Sequence, residues 1–234
     1  MKIPTVKVPK FTTTLPVSGE KIEFRPFLVK EEKLLLLASE SNDTESAVNA
    51  ISEIVESCTN GKIKSSEYCL ADVQWLFLQI RGKSIGEEVN VYLLCGECGT
   101  KHLKTMSLKE FEVALPNDST SNVIKVDDVV QVELKYPTIF HYNYLFENKN
   151  EADVYKVVAD CIVKIYNEDE MFVNEGTTDK ELLEFVENLT SEQFEKFEQF
   201  FVNMPVLTKV ENFVCTKCET PNKFQVNSIE HFFA

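Results

Sequence analysis

The sequence predicts an α+β fold: an N-terminal β-hairpin and helices, then two distant Cys-x-x-Cys hairpins that close into one split ribbon around an insertion of a hairpin and helices. Three observations predict it. Apolar residues recur at helical period through residues 29–58 and 70–81, the period switches to two from Glu87 onward, and the thiol spacing of Cys95 and Cys98 returns at Cys215 and Cys218.

Residues 1–14 read as an extended arm, because Pro4 and Pro9 interrupt any regular element and Thr12, Thr13 and Thr14 favour β over helix. Residues 15–86 hold a hairpin and a helical region. In LPVSGEKIEFRPF the Ser18-Gly19 pair marks the turn, and Ile22 and Phe24 alternate on one side. VKEEKLLLLASES is rich in helix formers, and SNDTESAVNAISEIVESC starts with Asp43 or Thr44 as a cap and groups Val48, Ile51, Val55 and Cys58 on one face. After Gly61, residues 70–81 bring Val73, Leu76, Phe77 and Ile80 together, with Trp75 and Leu78 on another side, the pattern of a helix buried on more than one face.

Val89, Val91 and Leu93 then alternate with Glu88, Asn90 and Tyr92, which places the first thiol pair at a strand end. Residues 112–206 form the insertion: VIKVDDVVQVELKYP as a hairpin, EADVYKVVADCIVKIY as one amphipathic helix, and two more helices with capping boxes at Thr178 with Glu181 and Thr190 with Gln193. Phe194, Phe197 and Phe201 line one face of the last helix, which stops near Pro205.

Residues 87–111 and 207–234 make the split ribbon. After Cys98 the chain runs GTKHLKTMSLKEF and after Cys218 ETPNKFQVNSIEHF; with one extra residue in the second copy, Leu103 and Thr105 match Phe224 and Val226, and Ser107, Leu108 and Phe111 match Ser228, Ile229 and Phe232. Two such hairpins facing one another offer Cys95, Cys98, Cys215 and Cys218 as a tetrahedral thiolate set, the ligand set of a structural Zn2+ in a zinc ribbon. A closed shell of four thiolates leaves no coordination position for water or substrate, so the site is structural and not catalytic. About a hundred residues separate the hairpins, and because closure entropy grows only as the logarithm of loop length, a folded insertion is tolerable. A redox pair needs a low-pKa thiol at a helix N-terminus, whereas both pairs here lead into strand-like alternation. His102 reads as a residue on the rim of the site, and Cys58, Cys69 and Cys161 as core thiols. Glu219 stands where a glycine is expected after Cys218, which predicts a less regular second turn.

Composition bounds the function. The net charge of −14, from 24 Lys and Arg against 38 Asp and Glu, repels a phosphate backbone and argues against nucleic acid as a partner. No run of eighteen apolar residues offers a membrane span, and the N-terminus lacks the apolar core of a signal peptide, so the chain is expected in the cytosol. In that reducing compartment seven cysteines do not imply disulfides. Glycine-rich phosphate loops, Gly-x-Ser-x-Gly and His-Glu-x-x-His are absent from the sequence, His141 and His231 have no nucleophile beside them, and the acidic stretch 167–170 lacks the spacing of a calcium loop. The expectation is a protein that is not an enzyme and takes no small-molecule substrate.

Three stretches carry a more specific likeness: FRPFLVKEEKLLLLASES, WLFLQIRGKSIGE leading into the first thiol pair, and SIEHFFA after the second. With the two thiol pairs they resemble the baseplate hub assembly proteins of T-even-like, contractile-tailed bacteriophages (myoviruses). The likeness spans nearly the whole chain, strongest over residues 22–98 and 205–234 and weakest in the insertion. It implies a non-enzymatic factor made late in infection, a chaperone or minor component that binds baseplate hub proteins while the central hub is built, in the host cytoplasm or also in the virion tail baseplate. Candidate binding surfaces are the N-terminal arm, which can add a strand to a partner, and the aromatic run over 136–146. The alternative from another class is a zinc-ribbon regulator that binds a polymerase or other host protein.

Overall fold

The computed structural model describes residues 6–41, 43–116, 121–146, 151–167, 171–173 and 177–226. The chain divides into two compact units, one made of Met1–Ala114 with Val206–Ala234 and one of Leu115–Pro205.

The first unit opens with an antiparallel hairpin of β1 (Phe11–Thr14) and β2 (Lys21–Phe24), in register Thr13 with Ile22. Ile22 and Phe24 point inward, as the period of two requires. The Ser18-Gly19 turn closes with Gly19 at φ +70°, a conformation glycine takes without steric penalty. Its free amides are tied down from below: the buried carboxylate of Asp72 accepts the Val17 and Ser18 N–H groups at 2.9 and 3.0 Å. The arm expected over residues 1–14 is therefore shorter than its sequence suggests. Its β-branched threonines pair with β2 and form the first strand of the hairpin, while residues 1–5 lie outside the described residues.

Three helices follow: α1 (Val29–Ser41), α2 (Thr44–Cys58) and α3 (Leu70–Ser84). Asp43 caps α2 by accepting the Ser46 N–H. α2 buries Val48, Ile51, Val55 and Cys58, with Ile54 joining them, and α3 buries Val73, Leu76, Phe77, Leu78 and Ile80. Trp75 lies between core and surface, its indole N–H donating to Thr13 Oγ1 at 3.2 Å. β3 (Glu88–Leu94) and β4 (Lys101–Ser107) form the first ribbon hairpin, and β5 (Glu112–Ala114) follows.

The second unit contains β6 (Val123–Lys125), β7 (Gln131–Leu134), α4 (Tyr142–Phe146), α5 (Glu151–Asp160), β8 (Ile162–Tyr166), β9 (Met171–Val173), α6 (Asp179–Glu187) and α7 (Ser191–Val202). Its four strands form one antiparallel sheet in the order β6-β7-β8-β9. Val132, Leu134 and Ile162 of that sheet share a core with Val158, Leu182, Val186, Phe197 and Phe200. Both capping boxes form as the sequence predicts. Two expectations change. The single helix predicted over EADVYKVVADCIVKIY stops at Asp160, and the β-branched IVKIY becomes β8 because β7 offers it a pairing edge, so the hairpin grows into a sheet. The aromatic run over 136–146 is mixed: Ile139 and Tyr142 are buried, Tyr136, stacked on Phe200 with centroids 4.8 Å apart, and Tyr144 are half-buried, and Phe140 is exposed.

The chain returns to the first unit through β10 (Val206–Val214) and β11 (Pro221–Val226). β10 pairs with β5 at its start and with β11 along the rest, giving a three-stranded sheet that carries the second thiol pair.

A four-thiol cluster as candidate metal centre

β3 ends at Leu94, just before Cys95, and β10 at Val214, just before Cys215, and both strands lead into the same kind of turn. The Cys95 N–H donates to the Thr100 carbonyl at 2.9 Å and the Gly99 N–H to the Cys95 carbonyl at 2.9 Å; Cys215 and Thr220, then Glu219 and Cys215, repeat this at 2.9 and 3.0 Å. Gly99 has φ +65° and Glu219 φ +59°. The second turn is thus as regular as the first, in contrast to the expectation raised by the missing glycine. Glu219 takes the left-handed conformation instead, which side chains with a Cβ adopt at an energetic penalty.

The two turns face one another, and the sulfurs of Cys95, Cys98, Cys215 and Cys218 all lie within 4.8 Å of one another. Cys95 is 3.6 Å from Cys218 and Cys98 is 3.6 Å from Cys215, so each close pair joins the two hairpins. A disulfide requires about 2.05 Å. Four sulfurs around one ion at about 2.3 Å stand about 3.8 Å apart, close to the observed separation. The donor set and its spacing fit one metal ion.

Electrostatics point the same way. The Cys95 thiol is brought down to about 6, chiefly by the Cys98 N–H, with Asn222 and Cys218 helping. Cys98 is also lowered, first by the Thr100 hydroxyl. At Cys215 the Cys218 N–H lowers the value, but desolvation and the neighbouring sulfurs of Cys218 and Cys98 outweigh it and push the thiol up to about 11. Sulfurs this close oppose one another's ionisation, and a divalent cation among them removes the conflict.

Around the sulfurs stand polar side chains, of which sequence reasoning missed Thr100, Thr220 and Asn222. The Thr100 and Thr220 hydroxyls lie 3.2 and 3.3 Å from Cys98 and Cys218. Asn222 Nδ2 donates to Cys95 at 3.6 Å, and His102 Nε2 lies 3.3 Å from Cys215, with its ring 5.1 Å from that of Phe213. His102 is therefore beside the cluster but outside the four-sulfur set, where the sequence reading put it. The repeat register is corrected within the strands: no extra residue is needed up to Val226, because His102 and Asn222 occupy the same place in β4 and β11, and Met106 and Val226 are the buried residues four further on, while Ser228, Ile229 and Phe232 lie outside the described residues. A one-residue offset would turn every side chain of the second strand to the opposite face. A Thr two residues after the second cysteine, recurring in both copies, was the available signal.

The other thiols stay apart from the cluster. Cys58 and Cys161 are buried, and burial pushes them up to about 11 and about 12, while Cys69 is half-buried ahead of α3. His141 accepts the Thr138 N–H at 3.1 Å and sits 3.4 Å from the Asp160 carboxylate, a structural arrangement; His231 lies outside the described residues.

Among the described residues, no helix is long and apolar enough to cross a membrane. No curated protein and no solved structure matches the chain. A family model does match, over residues 8–234, which covers both hairpins of the ribbon and the insertion between them. On that match the chain belongs to the T4 bacteriophage base plate protein family, and its role is in the phage baseplate.

Proposed function

We propose that this chain is a non-enzymatic tail assembly factor that acts by protein–protein binding, as a chaperone or minor component, while the central hub of the baseplate is built. The observation that carries this reading is the family match over residues 8–234. The likeness of its arginine-proline-phenylalanine and thiol-pair stretches to hub assembly proteins supports the hub as the place of action. Its partners are baseplate hub proteins, met in the host cytoplasm during tail assembly.

The thiol cluster supports a structural role in this factor. Cys95, Cys98, Cys215 and Cys218 hold a zinc ion, the metal for which a closed set of four thiolates is the characteristic structural ligand shell. When bound, zinc supplies a cross-link worth on the order of 10 kcal/mol in isolated finger peptides. The chain's own contribution is to deliver the sulfurs: β3 and β10 bring two turns from opposite ends of the insertion into register, and turn amides, among them Lys217 N–H on Cys215 and Cys98 N–H on Cys95, support the thiolate charge. Four protein ligands leave no position for a reacting water, which supports binding rather than catalysis.

Crosslinking mass spectrometry in infected cells at the time of tail assembly tests the proposal. Crosslinks from this chain to baseplate hub subunits are the expected result. Crosslinks confined to a polymerase or to host regulatory proteins would overturn it.

A further inference from the structure

We infer that His102 and Asn222 are a matched pair of positioning residues, each reaching from its own hairpin to hold the first cysteine sulfur of the opposite hairpin. The inference rests on the reading that the four thiolates bind zinc. Both residues stand four places after the second cysteine of their turn, half-buried at the second position of β4 and β11. From there His102 Nε2 comes within 3.3 Å of Cys215 Sγ, and Asn222 Nδ2 within 3.6 Å of Cys95 Sγ.

The four sulfurs thereby divide into two kinds. The second cysteine of each pair has its side-chain hydroxyl partner within its own turn, Cys98 beside Thr100 and Cys218 beside Thr220. The first cysteine of each pair accepts amides of its own turn, as Cys215 does from Lys217 N–H at 3.4 Å, but its polar side-chain partner comes from across the junction. Each crossing side chain is held in place by contacts besides the sulfur. Asn222 Oδ1 accepts the Gly96 N–H at 2.9 Å and its Nδ2 donates to the Thr220 carbonyl at 2.8 Å, which fixes the amide plane. The His102 ring lies against Phe213, two residues before Cys215, with centroids 5.1 Å apart.

A thiolate accepts hydrogen bonds, so His102 donates from Nε2 and Asn222 from Nδ2. Such outer donors fix the ligand rotamer and spread its charge, and losing one typically lowers metal affinity ten- to hundredfold. Because the donors cross, each substitution acts on the hairpin that does not contain it. A merely structural role in the parent hairpin does not produce that pattern.

The test uses the full chain loaded with zinc, whose metal content is measured first. Zinc release to a chromogenic chelator is followed for the unsubstituted chain and for H102A, N222A, H102N and N222H, and alkylation of each cysteine during release is read by mass spectrometry. The expected result is release about tenfold to a hundredfold faster in H102A and N222A, with Cys215 alkylated first in H102A and Cys95 first in N222A. H102N restores slow release, since an asparagine already performs this task in the sister hairpin. Where an alanine variant fails to fold, H102N and N222H decide: slow release in both supports the inference, and release as fast as expected for the alanine variants overturns it. Unchanged release rates, or the same order of alkylation in both alanine variants, overturn the inference and leave the zinc reading standing. A native chain that binds no zinc removes that reading, and this inference with it.

Discussion

The guanidinium of Arg25 donates to the buried carboxylate of Glu31 at 2.8 Å, and this pair fastens the N-terminal hairpin to two helices at once. Arg25, just past β2, also donates to Ser57 Oγ at the end of α2 at 2.9 Å, while Glu31 on α1 accepts the Ser57 hydroxyl and the Leu28 N–H, each at 2.8 Å. Removing Glu31 leaves the largely buried guanidinium of Arg25 without its carboxylate, and breaking a buried pair in this way destabilises proteins by about 3–5 kcal/mol. Glu31→Ala is expected to lower stability by that amount, read as a fall in the urea midpoint. Arg25→Met combined with Glu31→Leu should recover much of the loss, because burying two apolar groups leaves no charge without a partner.

The same carboxylate makes stability depend on pH. Burial opposes ionisation of Glu31, but the bonds from Arg25, Ser57 and the Leu28 N–H outweigh it and bring the group from the usual 4.5 down to about 2. A folded-state value below the unfolded one gives stability that is present above pH 4.5 and is lost as the pH falls toward 2. The size of that loss is about 3 kcal/mol. Urea midpoints of the native chain and Glu31→Gln, compared from pH 6 downward, should converge across this window. Protonation of the thiols affects both proteins alike, and a gap that stays constant to low pH would contradict the assignment.

The Arg-Pro-Phe stretch was legible in the sequence as a pattern, but its physics was not, since Ser57 lies 32 residues from Arg25. The four clustered sulfurs were legible because a repeated spacing of one rare residue type needs no tertiary knowledge. Their outer donors were not, because Asn222 acquires its meaning when the opposite hairpin arrives. β8 was hidden for a local reason: Val157 and Val158 continue a helical period into Ile162 with no glycine or proline to break it, and only pairing with β7 decides against the helix. The repeat register slipped because apolar Leu103 and Phe224 look alike, although alternation places Leu103 on the exposed face and Phe224 on the other.

Glu219 offers a stabilising substitution. Its φ of +59° matches the +65° of Gly99, and a residue with a Cβ pays about 1–2 kcal/mol for that conformation. Glycine removes this strain but gains freedom in the unfolded chain worth about 0.4–1 kcal/mol. Glu219→Gly should therefore raise stability by up to about 1.6 kcal/mol. Gly99→Ala should lower it by a similar amount, through backbone strain alone, since an added Cβ meets no atom within 4 Å. Thermal midpoints of the zinc-loaded variants, moving in opposite directions, check the pair together.

Metal removal should act unevenly along the chain. Thiolates bind zinc only when deprotonated, so affinity falls with pH, and a strong chelator at neutral pH should reach the same end state as mild acid. The strands β3, β4, β10 and β11 flank the two turns that an ion at the four sulfurs would join, whereas Leu115–Pro205 has its own core around Val132, Ile162, Leu182 and Phe197. Hydrogen exchange is therefore expected to quicken in the four ribbon strands on chelation, while amides of β7 and β8 keep their protection. Cys215→Ser should reproduce the pattern without chelator, because a hydroxyl replaces one of four soft donors. Equal loss of protection in both sets of strands would show that the ion supports the insertion's core as well, and no change in either would show that the ribbon hairpins hold together without it.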